Sequence, residues 1–495
     1  MYGSVWLGVV TLFIAGITHW VYKWRNPKCN GKLPPGSMGL PLIGETIQFF
    51  IPSKSLDVPN FIKKRMKNTG YISTKFIISF FVLYLSDYGP LFCTNLVGRP
   101  VVVSSDPDFN YYIIQQEGKL VELWYLDSFA KLVGLDPSSN AATGYVHKYA
   151  RNLILAYLGT EVLKDKLLSK AEDLIRTRLH DWSKLPAFEI KACLSSMAFD
   201  LTGMEVLSDD FKKMGAHFSE KFANILQALF SFPLNILGTS FHDCLKNQKE
   251  AKKLIRDVLK ERKVTFESCK GDLLDKLVDD AKKEKFLSDD YIVIFVFGTL
   301  LASFETISTA TTLALKFLTE HPLAMQELIE EHEAILKNKE NPNSGISWKE
   351  YKSMTFTHQV INETLRLANI VPGILRRAIK DIQVNGYTIP AGWIILLYPA
   401  ALQLDPNTFA DPLTFNPWRW KDIGAGVRAK NFMPFGCSSR SCAGAEFTKV
   451  LMATFLHVLV TNYRLIKIKG GKIARSPGLI FENGFHINIS KKHGC

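Results

Sequence analysis

The amino-acid sequence predicts a mainly α-helical protein with small β-sheets, preceded by one N-terminal transmembrane helix. Three observations carry that expectation. Apolar residues recur at helical spacing through the centre of the chain, as in residues 272–285 and 321–336. Strand-like alternation is concentrated in residues 91–103 and 377–398. Residues 5–21, VWLGVVTLFIAGITHWV, are almost wholly apolar over about the length that crosses a bilayer.

The amino-terminal run reads as a membrane signal-anchor over residues 1–22. His19 is the only titratable group within the apolar run, and Trp6, Trp20 and Tyr22 mark its ends as an aromatic belt would. A cleavable secretory signal begins with basic residues, whereas here Lys23, Arg25, Lys28 and Lys32 follow the apolar run. Positive charge after the span keeps the remainder of the chain on the cytoplasmic side. Residues 23–44 read as a basic, proline-rich hinge, in which Lys32-Leu33-Pro34-Pro35-Gly36 and Gly39-Leu40-Pro41-Leu42-Ile43-Gly44 combine fixed proline φ with glycine turns. No repeat and no Gly/Ser linker divides residues 45–495, so they read as one domain. Residues 68–87 stand apart within it. Their run Phe76-Ile77-Ile78-Ser79-Phe80-Phe81-Val82-Leu83-Tyr84-Leu85 is too short to span a bilayer and strongly β-prone, and reads as a buried strand, a membrane-facing patch or foreign sequence.

Composition narrows the class. A hydrophobic fraction of 47% with 22% charged residues is that of a globular chain and excludes disorder. The formal charge of +13 suits an anionic membrane surface or an acidic protein partner; scattered rather than clustered basic residues argue against nucleic acid. The eight cysteines are widely spaced and too few for a disulfide framework in 495 residues, which points to a reducing compartment.

Phe435-Gly436-Cys437-Ser438-Ser439-Arg440-Ser441-Cys442-Ala443-Gly444 is a glycine- and serine-rich loop running into an apolar helix over residues 445–460. Cys442 therefore stands at a helix amino terminus, where unpaired N–H groups and the helix dipole are expected to lower its pKa, as an iron-bound thiolate requires. Gly444 lacks a Cβ, so a flat macrocycle can approach the backbone, and Arg440 is placed to pair with a haem propionate. A zinc site on Cys437 and Cys442 is the competing metal reading, for which no second pair of ligands appears at suitable spacing.

Between residues 291 and 315 the only charged side chain is Glu305, followed directly by Thr306. An unpartnered buried carboxylate is costly. An acid–alcohol pair over a haem would deliver the protons that heterolytic cleavage of dioxygen consumes; the alternative is a polar nick in a core helix satisfied by a carbonyl or water. Glu363 and Arg366 are spaced to share one helix face, and Phe415-Asn416-Pro417-Trp418-Arg419-Trp420 supplies a further arginine that would close a Glu–Arg–Arg structural network beneath the cysteine loop.

These elements, in this order, resemble the cytochrome P450 family. Its acid–alcohol pair matches Glu305 and Thr306, its Glu-x-x-Arg matches Glu363 and Arg366, its Pro-x-Arg matches Pro417 and Arg419, and its thiolate ligand matches Cys442. The resemblance covers nearly the whole chain. It implies the P450 fold for residues 45–495, haem b held through an iron–thiolate bond to Cys442 with Phe435 and Gly444 beside it, and propionates held by Arg440, Arg376 and Arg151. His147 stands where a tryptophan is frequent. The wording Leu33-Pro34-Pro35-Gly36, Glu122-Leu123-Trp124-Tyr125-Leu126-Asp127 and Phe415 to Lys421 is similar to the plant branch that oxidises sterols, brassinosteroids and triterpenoids.

That branch implies a monooxygenase of apolar polycyclic substrates, lined by Trp124, Leu126, Phe304, Val371, Ile374 and Leu479. It further implies an NADPH–cytochrome P450 reductase docking on basic residues such as Lys148, Arg428, Lys430 and Lys449, and residence in the endoplasmic reticulum membrane with the catalytic domain cytoplasmic. The chain departs from the family in two main places. Ser438 replaces a usual glycine, and residues 68–87 interrupt a passage that relatives make almost directly, as a translated retained intron would. Ser303, where glycine is common, is a milder variation. The rivals are a non-oxygenating haem-thiolate isomerase or lyase, opposed by Thr306, and an inactive haem-binding splice variant.

Overall fold

The structure, a computed structural model, describes residues 2–66, 88–134, 144–228, 235–264, 270–341, 344–476 and 478–492. The segment 68–87 singled out above lies outside the described residues.

The centre of the molecule is the helix Asp289–Glu320. Ser288 caps it by accepting the Tyr291 N–H, Asp289 and Asp290 complement the positive end of its dipole, and Pro322 opens the next helix, Pro322–Lys337. It is apolar on nearly every side, which is stable only when every side is covered. Helices Ile190–Leu207, Ser240–Val264, Thr355–Ala368 and Ala445–Asn462 pack around it. Each fully buried Leu, Ile or Phe on it contributes about 1.5–3 kcal/mol of gross burial free energy. This helix is long and apolar enough to cross a membrane, but it is a core helix, with 61% of its most apolar window buried.

The strand regions read from sequence resolve into hairpins. Leu91–Leu96 and Arg99–Ser104 pair antiparallel through a two-residue turn in which Val97 (φ 53°) and Gly98 (φ 74°) both adopt positive φ. Ile394–Leu397 runs parallel to Arg99–Ser104; Ile374–Ala378 and then Val121–Leu123 complete a five-stranded sheet. The long carboxy-terminal hairpin of Tyr463–Ser476 and Gly478–Lys491 forms a second sheet with Phe188–Glu189. The helix expected over 272–285 is shorter, Leu273–Asp280, because Asp272 serves as its cap and residues 281–284 turn out of it.

Tyr2–Arg25 is helical, and Trp6, Leu7, Leu12 and Phe13 along it are exposed. The proline-rich segment after it is laid against the sheet edge: Cys93 donates to the Pro35 carbonyl at 2.8 Å, and the Glu45 N–H donates to that of Asn95 at 2.8 Å. Glu45 and Arg65 form a buried ion pair at 2.6 Å, and Trp24 donates to the Met38 carbonyl at 3.2 Å. The edge strand is thereby covered.

Candidate active site around Cys442

The cysteine loop is built by local bonds. The Cys442 N–H donates to the Phe435 carbonyl at 2.8 Å, Gly436 to Met433 at 3.0 Å, and Ser441 to Ser438 at 3.1 Å. The turn requires positive φ at Gly436 (68°) and at Ser438 (62°), so the serine that stands at a usual glycine occupies a backbone conformation that costs an L-residue about 1–2 kcal/mol. Gly444 precedes the helix Ala445–Asn462; a Cβ there would meet only the Cys442 sulfur, at 3.8 Å, so glycine keeps the flank of the thiol open. Cys442 is exposed, whereas Cys437 is half-buried against the sheet-side core with its sulfur 4.0 Å from that of Met433.

The expected lowering of the Cys442 pKa is not what the folded chain gives. Crowding by surrounding protein raises it, and the Gly444 N–H and Arg151 only oppose that rise. Accessibility measures whether water can touch the residue, while ionisation feels all the protein within several ångströms. Desolvation therefore outweighs the helix end.

The three arginines converge. Arg151, on the helix Gly144–Leu158, bonds the Ser441 carbonyl and, at 3.1 Å, the Ser441 hydroxyl. Arg376, on Ile374–Ala378, and Arg440 are both ion-paired to Glu117, at 2.8 and 3.2 Å. His147, one helical turn before Arg151, is held at a pKa of about 4 by burial and by the charges of Arg440 and Arg151. A site so rich in positive charge calls for an anion of more than one charge. Together with an accessible thiol flanked by glycine, it fits the propionates and iron of haem.

On the central helix, Ala302 is exposed and Glu305 and Thr306 are half-buried, among buried neighbours. The Thr306 hydroxyl donates to the Ala302 carbonyl at 3.2 Å, and Ser303 donates to Leu300 at 2.8 Å. Glu305 is not the unpartnered acid the sequence suggested: Lys191, on the neighbouring helix, is 2.5 Å away. Glu363, Arg366 and Arg419 meet. Arg366 grips Glu363 with two bonds of 2.8 and 2.9 Å, Arg419 reaches it at 3.1 Å, and Trp420 donates to it at 3.0 Å. Arg366 and Glu363 have no exposed surface, so protein groups satisfy their charges: Arg366 also donates to the Gln403 and Pro412 carbonyls, and Glu363 also accepts from Arg419, Trp420 and the Asn416 N–H.

The expected substrate-facing residues divide. Strand Val121–Leu123, with Trp124 and Leu126 directly after it in the chain, pairs with Ile374–Ala378, Leu123 opposite Arg376. Val371 is 57% exposed just before that strand. Leu479 is buried opposite Arg475, whose guanidinium bonds the Asn369 carbonyl at 3.0 Å and so ties that strand to the loop carrying Val371. Trp124 also borders a cleft of about 300 Å³ with Arg99, Asp127 and Arg377. Phe304 belongs to an aromatic cluster, its ring centroid 5.2 Å from that of Phe199 and 6.4 Å from that of Phe222. Sequence reasoning missed Glu117 and Lys191, whose partners are far away in the chain.

The chain is similar to known proteins in sequence and in fold. The family model described as "Cytochrome P450" matches residues 65–484. The chain is 47% identical to cucurbitadienol 11-hydroxylase of Siraitia grosvenorii over 99% of both chains. It is 45% identical to beta-amyrin 16-alpha-hydroxylase of Maesa lanceolata, again over 99% of both. Among solved structures, a retinoic acid-bound cyanobacterial CYP120A1 superposes with a TM-score of 0.79 at 22% identity, covering 94% of this chain and 100% of that one.

Proposed function

Because this chain belongs to the cytochrome P450 family, and is therefore a haem-thiolate monooxygenase, we propose that it hydroxylates an apolar tetracyclic triterpenoid or sterol using electrons from an NADPH–cytochrome P450 reductase. The observation that carries the substrate class is full-length similarity to two relatives named as triterpenoid hydroxylases. When bound, haem supplies the binding and cleavage of dioxygen. Cys442 is the iron ligand, flanked by Phe435 and Gly444; Arg151, Arg376 and Arg440 hold the propionates. Thr306 and Glu305 would relay protons to haem-bound chemistry: the Thr306 hydroxyl, which donates to the Ala302 carbonyl, can accept a hydrogen bond on its lone pairs and would pass its proton on by turning away from that carbonyl. Glu363, Arg366 and Arg419 brace the loop below. Trp124, Leu126, Phe304, Val371, Ile374 and Leu479 exclude water and orient the apolar substrate.

In the same reading, residues 1–22 are a single-pass anchor in the endoplasmic reticulum membrane, residues 23–44 a hinge, and residues 45–495 a cytoplasmic catalytic domain with 68–87 an atypical insertion. The exposed apolar side chains of Tyr2–Arg25 and the basic residues at its end support the anchor. Lys148, Arg428, Lys430 and Lys449 form the basic face for the reductase.

The experiment is reconstitution of the full chain with a plant P450 reductase, NADPH and cucurbitadienol, β-amyrin or a phytosterol. A product heavier by one oxygen is expected from a tetracyclic substrate. Turnover of none of the polycyclic substrates, with a normal reduced carbon monoxide spectrum, would overturn the substrate class.

A further inference from the structure

Glu117 lies between the helix Pro107–Gln115 and the strand Val121–Leu123. Its carboxylate bridges two elements distant in sequence: one oxygen is 2.8 Å from Nε of Arg376, the other 3.2 Å from Nε of Arg440. The second oxygen also accepts the Leu123 N–H at 3.1 Å. The three charged side chains are only 11%, 3% and 10% exposed, so solvent screens these pairs far less than it screens ion pairs on a protein surface. Leu123 is the sheet partner of Arg376, so this one carboxylate joins the strand, the buried arginine beside it and the cysteine loop.

Glu117 thus sets one negative charge among the positive charges of Arg376 and Arg440.

We propose that Glu117 is a positioning residue for haem, a carboxylate clamp that fixes Arg376 and Arg440 in register and tempers the positive charge they present to it. It contacts neither iron nor substrate. The inference rests on the reading of these arginines as propionate partners.

The test uses the full-length holoprotein, with redox potentiometry and haem transfer to apomyoglobin as readouts. Glu117→Gln removes the charge while keeping the shape, so the haem midpoint potential should become more positive, since the ferrous state is then less disfavoured. Glu117→Asp keeps the charge but is one methylene too short to span both guanidiniums. It should leave the potential near that of the wild type and speed haem loss several-fold. Arg376→Gln and Arg440→Gln should each speed haem loss. If the arginine variants do so while Glu117→Gln keeps the wild-type potential and Glu117→Asp the wild-type haem loss, the clamp is refuted and the propionate reading stands. If neither arginine variant changes haem loss or potential, the propionate reading falls and the clamp with it. Should Glu117→Gln fail to fold, haem loss in Glu117→Asp at the wild-type rate would by itself overturn the proposal.

Discussion

Lys191 sets its ammonium 2.5 Å from the carboxylate of Glu305, so the acid beside Thr306 is tied to the neighbouring helix Ile190–Leu207. Both side chains are partly exposed, 25% and 33%, so a double-mutant cycle over Lys191→Met and Glu305→Gln should give a coupling in stability below about 1 kcal/mol. Thr306→Ala should keep haem and substrate binding while diverting NADPH to peroxide. Unchanged coupling of NADPH use to product would remove Thr306 from proton delivery.

Ligation should survive Cys437→Ser and fail in Cys442→Ser, because Cys442 is exposed beside Gly444 while Cys437 is half-buried against Met433. The reduced carbon monoxide spectrum decides it: the red-shifted Soret band of thiolate ligation persists in the first variant and is absent from the second.

Ser438→Gly relieves a residue held at φ 62°. A gain of about 1 kcal/mol is expected, read as a higher midpoint temperature, with haem retained at least as well. A lower midpoint would mean that the serine side chain contributes more than its backbone costs.

Glu363→Gln leaves Arg366 fully buried beside a neutral amide, and should cost about 3–5 kcal/mol, a large part of a typical stability of about 5–15 kcal/mol. Glu122→Gln, which breaks the half-exposed pair with Arg377 at 2.6 Å, should cost less than about 1 kcal/mol. Soluble yield and thermal midpoints of the two variants make the comparison.

His332 and His457 form a buried imidazole pair, Nδ1 to Nδ1 at 2.9 Å. Thr357 donates its hydroxyl to Glu331 and so accepts from Nε2 of His332, 3.0 Å away. His332 therefore presents a bare Nδ1 to the Nδ1–H of His457, and both rings are neutral. Burial pushes both down to about 3. A pKa below its unfolded value means that this stability is complete above about pH 6.5 and is lost as pH falls towards 3, at up to about 1.4 kcal/mol per pH unit for each ring. His457→Leu should make the acid limb of a midpoint-against-pH curve shallower; an unchanged slope would assign acid sensitivity elsewhere.

The sequence by itself determined what depends on neighbours in the chain. Ser288, Asp289 and Pro322 bound the central helix, the Gly436 to Ser438 turn shapes the cysteine loop, and Glu363 with Arg366 needs only helical spacing. Capping, turn chemistry and periodicity act over a few residues, so one chain carries the whole signal. Tertiary structure alone decided the rest. Glu117 meets Arg376 and Arg440, Lys191 meets Glu305, and Arg151 meets Ser441 because packing brings distant faces together. The terminal hairpin is likewise a product of pairing between strands rather than of local pattern. The packing of Phe304 against Phe199 and Phe222 is also tertiary, since a phenylalanine on an apolar helix looks the same from sequence whichever way it faces. The Cys442 thiol shifted upward because the helix end is a local property, whereas desolvation is set by every atom the fold packs around the sulfur.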